Sequence, residues 1–310
     1  MKIAFFGTAD FGIEALEAIR NSHHEISAII TNPPKPAGRG LHLRKSPINV
    51  FAEENNIAPV FAPENIKDES FTEELKKIEA DLFVVVAFSI LPKSVFSIPK
   101  HGTYNIHAAL LPAFRGPAPI QRAIESGAKK TGVSIFRIDA GVDTGDIVLQ
   151  KECEILPEDD TPSLYGKLSV LGASALMEAL VKIESGEVEY KSQDKDLATK
   201  APLLKKEEAK INWQDSAVLI ANKIRAFKPF PSSYTTLFDE QIIIEKAFAQ
   251  NVETRCSRLG EITEITKDEI SVQTGDGILV ITELKPAGKR AMSARDFMNG
   301  KQIKEGIILI

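Results

Sequence analysis

The sequence predicts an α/β protein: a doubly wound, mostly parallel sheet in the N-terminal part, followed by a C-terminal β-barrel of OB type. Three observations lead there. Short apolar strands alternate with amphipathic helices along the first part of the chain, the pattern of a mostly parallel sheet. Residues 81–88 (Asp-Leu-Phe-Val-Val-Val-Ala-Phe) form an almost unbroken apolar run, as in a central strand covered on both faces. Beyond Gly186 the pattern changes to one helix and about five short strand-like runs, which suits a small barrel. We therefore expect a catalytic domain over 1–188, a polar linker over 189–206 and an OB-like domain over 207–310.

Composition agrees with a globular chain. Of its 310 residues 43% are hydrophobic and 26% charged, enough apolar material for two cores. The first apolar run, residues 3–6, is too short for a leader or a membrane span. Cys153 and Cys256 lie far apart and in no metal-binding spacing, so neither a zinc site nor a disulfide framework is indicated. These features lead us to expect a cytoplasmic monomer without a metal. The charge is uneven. From Lys205 onward the net is +1 and before it −6, within an overall −5, which permits a polyanionic partner without requiring one.

The chain opens with a buried-type strand ending at Gly7, then a turn and a helix over 11–19. The Gly7 to Gly12 spacing lacks the middle glycine of a dinucleotide site and the Lys-Ser/Thr of a P-loop. A strand over 25–31 leads into residues 32–46, a long loop rich in Pro and Gly that carries Lys35, Arg39, His42, Arg44 and Lys45. Such a loop is either a solvated connection or a basic finger reaching a phosphate-rich partner. Helices follow over 47–55 and 70–78, with extended chain at 58–61 between them and the central strand at 81–88. Strands at 103–107, 131–138 and 146–154, helices at 118–126 and 163–184, and a helix at 216–226 complete the first part and begin the second. The barrel strands are expected at 233–238, 242–249, 257–265, 269–274 and 278–284.

One stretch carries the chemistry. On the strand 103–107, Asn105 and His107 are two residues apart and project from the same face. Pro112 and Gly116 then break the chain into a loop at what would be a strand's carboxyl end, where open α/β sheets bind ligands. Downstream, Asp139-Ala-Gly-Val-Asp-Thr-Gly-Asp146 packs three acids and two glycines into a tight turn that is expected to aim a carboxylate, that of Asp143. Amide, imidazole and carboxylate form a set suited to acyl transfer. Singly, His107 could be a structural histidine, and Asp143 and Asp146 simple turn formers.

Asn105-Ile-His107, Leu110-Leu-Pro-Ala-Phe-Arg-Gly116, Asp143-Thr-Gly-Asp146, the 36–40 loop and Lys285-Pro-Ala-Gly-Lys-Arg-Ala-Met-Ser-Ala-Arg295, in this order, resemble the methionyl-tRNA formyltransferase family. The resemblance covers essentially the whole chain. It implies transfer of formyl from 10-formyltetrahydrofolate to the α-amine of methionyl initiator tRNA, with Asn105, His107 and Asp143 catalytic. It further implies that Ile90, Leu91, Ala109, Leu110, Leu111, Pro112, Asp139 and Val142 hold the folate. Arg39, with Lys35 and Arg44, would grip the tRNA, and the barrel would add phosphate contacts. Ala109 departs from the family's usual serine and removes a hydroxyl contact there. The first three motifs are shared by all formyl-folate enzymes, so formylation of an amino sugar nucleotide and hydrolysis of the formyl-folate are the rival readings. A purine-pathway formyltransferase would leave about 100 C-terminal residues without a purpose, and a non-catalytic RNA-binding protein would not need the three-residue set.

Overall fold

The computed structural model describes residues 1–37, 42–57, 59–250, 258–301 and 303–310. The chain divides into two compact units. The first comprises Met1–Pro119, Lys130–Glu154 and Tyr165–Ala201; the second comprises Ile120–Lys129, Ile155–Leu164 and Pro202–Ile310.

In chain order the elements of the first part are β1 (Lys2–Gly7), α1 (Ile13–Arg20), β2 (Glu25–Ile30), β3 (Lys35–Ala37), β4 (His42–Arg44), α2 (Pro47–Glu54), β5 (Val60–Phe61), α3 (Glu69–Lys77), β6 (Leu82–Val86), α4 (Lys93–Phe96), β7 (Thr103–His107), α5 (Pro119–Glu125), β8 (Lys130–Arg137), β9 (Ile147–Glu154) and α6 (Thr161–Ser185). Seven strands form one sheet in the order β5-β2-β1-β6-β7-β8-β9. The pairs from β5 to β7 are parallel, while β8 and β9 complete the edge in antiparallel fashion. Burial on both faces explains the apolar runs: all five residues of β6 and residues 3–7 of β1 are buried. On one face Ala4, Phe6, Phe83 and Val85 pack against Phe71, Leu75 and Val95 of α3 and α4. From the other, Ile106 approaches Gly172 of α6, which has no side chain to hold the helix away.

Two expectations change. Residues 11–12 belong to a 3-10 turn (Asp10–Gly12), and α1 begins only at Ile13. Within the long basic loop, β3 and β4 pair antiparallel as a separate two-stranded hairpin. Among the described residues α6 is the one helix long and apolar enough to cross a membrane, and half of its most apolar window is buried inside the chain. Ser169 on it donates to the Phe11 carbonyl and Tyr165 accepts from the Phe11 N–H, the contacts of a helix packed on its own domain.

The second unit holds α7 (Ala217–Ala226), β10 (Tyr234–Leu237), β11 (Glu240–Gln250), β12 (Ile262–Ile265), β13 (Ile270–Gln273), β14 (Ile278–Pro286), β15 (Met292–Ser293) and α8 (Ala294–Gly300). The strands form an antiparallel sheet in the order β10-β11-β14-β13-β12, with β15 beside β14. This sheet curls into a half-barrel, and residues 306–310 span its open side. Gly306, Ile307 and Leu309 exchange backbone hydrogen bonds with Gly260 and Ile262 on one edge, and Ile310 pairs with Thr236 on the other. Apolar side chains fill the interior, among them Trp213, Leu237, Ile244, Val272, Ile281 and Phe297. The expected strand over 257–265 is realised only from Ile262; its first residue lies outside the described residues.

Candidate functional site

The site is built on β7. Its backbone is paired on both sides, with Asn105 between Val85 and Phe136 and His107 opposite Ser134. A strand so constrained holds its side-chain directions well, and Asn105 and His107 share one face. Past the strand, residues 108–116 turn away and bring the Phe114 carbonyl back over His107, 2.9 Å from Nε2. A carbonyl can only accept, so Nε2 carries the proton and the neutral ring presents Nδ1 as a bare lone pair. Nδ1 faces Asp143 Oδ2 at 3.7 Å. His107 is only 5% exposed. Burial is the strongest influence on its imidazole and holds it below the usual histidine range, with the Asp143 carboxylate and the Phe114 carbonyl opposing.

The acid arrives by an indirect route. Because β8 is antiparallel, its exit at Arg137 lies level with Tyr104, near the start of β7. Residues 138–146 must therefore double back along the sheet for Asp143 to reach His107 at the far end of β7. Two features make this turn. Asp139 Oδ1 accepts from the Gly141 N–H and the Thr144 hydroxyl, an internal brace. Gly145 sits where any Cβ would fall 1.7 Å from the Arg137 carbonyl. At the apex Asp143 has φ of +54°, and across from it Phe114 has φ of +57°. Left-handed backbone at non-glycine residues costs on the order of 1–3 kcal/mol each and collects at functional sites. Between them Gly116, at φ of +121°, donates its N–H to Asp143 Oδ2 over 2.8 Å. A Cβ at Gly116 would come within 2.7 Å of the Ala201 carbonyl.

Beside this group lies a cleft with a cavity volume of about 90 Å³. Its walls include Val85, Phe88 and Phe136, with Asn105 and Asp143 as polar members. Among the described residues no hydrogen-bond partner is found for the Asn105 amide, which leaves its donors available in the cleft. The structure brings Asn105, Asp143, Ile90, Leu91, Asp139 and Val142 together around this space, while His107 is buried against Asp143 and is not among the walls. Ala109, Leu110, Leu111 and Pro112 are not among its walls. Their backbone is instead held from behind, where the Ser134 hydroxyl donates to the Ala109 carbonyl and accepts from the Leu111 N–H, and Gln150 donates to the Leu111 carbonyl. Ala109 is fully buried, so its methyl faces packing and not the cleft.

Lys35 and Arg44 sit opposite each other on the β3–β4 hairpin, and both are exposed. Arg39 lies outside the described residues. Arg115 has a structural partner: its Nε and Nη2 donate to Gln193 Oε1. Asp146 accepts from the Ser192 hydroxyl through its side chain. Sequence reasoning missed Gln193, Thr199 and Ser134. Ser134 had a legible signal, since it is two residues from Phe136 on a strand expected beside the site. The other two lie in polar chain with no periodicity.

A formyl transferase family model matches residues 1–180, and a formyl transferase C-terminal domain model matches residues 203–302. The chain belongs to the formyl transferase family. Solved structures share its fold. The sugar 3N-formyl transferase WlaRD, determined with dTDP and 5-N-formyl-THF, is 21% identical, with a TM-score of 0.68 over 94% of this chain and 99% of that one. The N-formyltransferase from Helicobacter canadensis, in complex with folinic acid and dTDP-3-aminofucose, is also 21% identical at a TM-score of 0.68, over 91% and 98%. HypX from Aquifex aeolicus, in complex with tetrahydrofolic acid, is 18% identical at a TM-score of 0.62; the match covers 98% of this chain and 48% of HypX.

Proposed function

We propose that this protein transfers the formyl group of 10-formyltetrahydrofolate to the α-amino group of methionyl initiator tRNA, in the cytoplasm. The observation that carries formyl transfer is that Asn105 and Asp143 line one cleft while His107, on the same face of β7 as Asn105, bears on Asp143 from its buried position. The cleft suits the donor: its apolar walls with Phe88 and Phe136 accept a flat heterocycle, and Asn105 offers unpaired amide hydrogens beside the point where a formyl group would lie. When bound, the donor supplies an activated formyl carbon on N10 that an amine can attack.

The chain's own residues then have defined tasks. Asn105 donates to the formyl oxygen as negative charge develops on it, which is worth roughly 3–4 kcal/mol for one well-aimed donor. His107 rests neutral, with Nδ1 open and Nε2–H held by Phe114. Nδ1 accepts the proton lost by the attacking amine, directly or through one water, and the resulting imidazolium lies against Asp143. Returning that proton to N10 releases the product and restores the neutral ring. Asp143 therefore stabilises the charged imidazole in transit, a task set by its position.

What supports tRNA as acceptor is the β3–β4 hairpin. None of the three residues of β4 is buried, Leu43 is 72% exposed, and Lys35 and Arg44 point no charge into a core. Lys35, Pro36 and residues 42–44 bury nothing in their own domain, an exposed surface suited to a partner, and its charge favours phosphates. The second reading is formylation of an amino sugar nucleotide, favoured by the acceptors named for the similar sugar enzymes. The decisive test offers purified protein and 10-formyltetrahydrofolate in parallel to initiator methionyl-tRNA, elongator methionyl-tRNA and an amino sugar nucleotide. Rapid formylation of the initiator alone supports the proposal. Preference for the sugar overturns the acceptor and leaves the chemistry standing.

A further inference from the structure

We infer that Gln193 is the positioning residue for the carboxylate: its side-chain amide locks the Asp143 loop to the 108–116 loop so that Asp143 bears on His107. The inference rests on the acid role given to Asp143 above.

The geometry is a closed circuit. Gln193 Nε2 donates to the backbone carbonyl of Asp143 itself at 3.0 Å and to that of Gly145 at 2.7 Å. Its Oε1 accepts from Arg115 Nε at 3.1 Å and Nη2 at 2.7 Å. The next residue, Gly116, gives its N–H to Asp143 Oδ2, and that oxygen faces His107 Nδ1. One amide thus fixes the acid's backbone and, through Arg115, the donor that aims its side chain. Both loops need such a tie because each holds a left-handed non-glycine residue, Asp143 and Phe114, that relaxed backbone would abandon.

The surrounding strand of chain reinforces the same junction. Thr199 Oγ1 accepts from the Phe114 N–H, Arg115 and Lys200 form a parallel bridge, and the backbones of Arg115 and Ala118 bond with those of Thr199 and Ala201. Residues 193–201 are therefore a strap over both loops. Gln193 is its one member whose side chain touches both loops among the described residues. No glutamate or leucine can replace it: only an amide offers two donors on one side and an acceptor on the other.

The test uses Gln193→Met and Gln193→Glu in the full chain, with Asp143→Asn and the double variant Asp143→Asn/Gln193→Met, in the formyl-transfer assay. Displacing the acid by a fraction of an ångström to an ångström should lower kcat about 10- to 100-fold. KM for the formyl donor should stay within about threefold, since the apolar walls Val85, Phe88 and Phe136 lie outside the loop that Gln193 holds, and the acid limb of the pH–kcat profile should move. In the double variant Gln193→Met should cost almost nothing beyond Asp143→Asn, because it acts through that residue. Wild-type kcat in both Gln193 variants, a loss carried in KM alone, an unmoved pH limb, or full additivity in the double variant would each overturn the inference. So would unfolding of both single variants, which would make Gln193 a purely structural residue. If Asp143→Asn keeps full activity, the acid role itself fails; if it is inactive while the Gln193 variants are not, only the clamp fails.

Discussion

Asp143→Asn is the most informative single change. The substitution is nearly isosteric, and an amide oxygen in place of Oδ2 can still accept the Gly116 N–H. What is lost is the negative charge 3.7 Å from His107 Nδ1. For a partly buried pair with an effective dielectric near 20, a carboxylate and an imidazolium at this range attract by roughly 4 kcal/mol. If that attraction is present only while His107 carries the amine's proton, its loss lowers kcat about a thousandfold. Formyl transfer to initiator methionyl-tRNA under single turnover gives kcat without product release, and donor titration gives binding. The expected outcome is a drop of about three orders of magnitude in transfer with donor affinity unchanged and thermal stability close to wild type. A variant retaining more than a fifth of wild-type transfer would refute the reasoning, because the charge would then do no work in the transition state. A loss of donor binding equal to the loss of rate would refute it differently, by making Asp143 a wall of the cleft and nothing more.

Other consequences are equally accessible. His107 is held below the usual histidine range in the folded protein, so the unfolded chain binds the proton more readily. Stability is then full above pH 6.5 or so and declines as pH falls below the unfolded value, with a slope of up to about 1.4 kcal/mol per pH unit from this residue. Denaturant titrations at pH 7 and 5 should show His107→Gln losing less stability between them than wild type; an equal loss would contradict the buried neutral ring. Replacing Lys35 and Arg44 together by serine should raise KM for tRNA and reduce the salt slope of tRNA binding by about 1.5, from two phosphates, while slow formate release in the absence of acceptor stays as it was. In the second unit, Trp213 is 6% exposed and donates from Nε1 to the Thr235 hydroxyl at 3.2 Å. Trp213→Ala should therefore destabilise the barrel by about 3–5 kcal/mol in denaturant unfolding of the whole chain, leaving the first unit's transition in place.

Much of this protein is legible in its residues because the relevant physics is local. The apolar run at β6 announces a strand covered on both faces, and the spacing of Asn105 and His107 places both on one side of β7, since a strand alternates every residue whatever its neighbours do. The short strands after Gly186 announce a curled antiparallel sheet through turn chemistry alone. The polar tract 189–206 reads as a connection for the same reason: it has no period that would seat it on anything. That reading carried no information about hydrogen bonds made by single side chains, and there the tertiary structure decided. Sheet order set β8 antiparallel to β7, so the acid had to come from a loop folding back along the sheet, and only the folded path brings Asp143 to His107 across the 35 intervening residues. The Phe114 carbonyl, placed by a left-handed turn, chose the tautomer of His107 and with it which nitrogen faces Asp143. Gln193, with nothing in its neighbourhood to mark it, ties the two loops together. Residue type and spacing dictate which groups can do the chemistry; which of them meet, and with which atom forward, depends on backbone paths that no local pattern encodes.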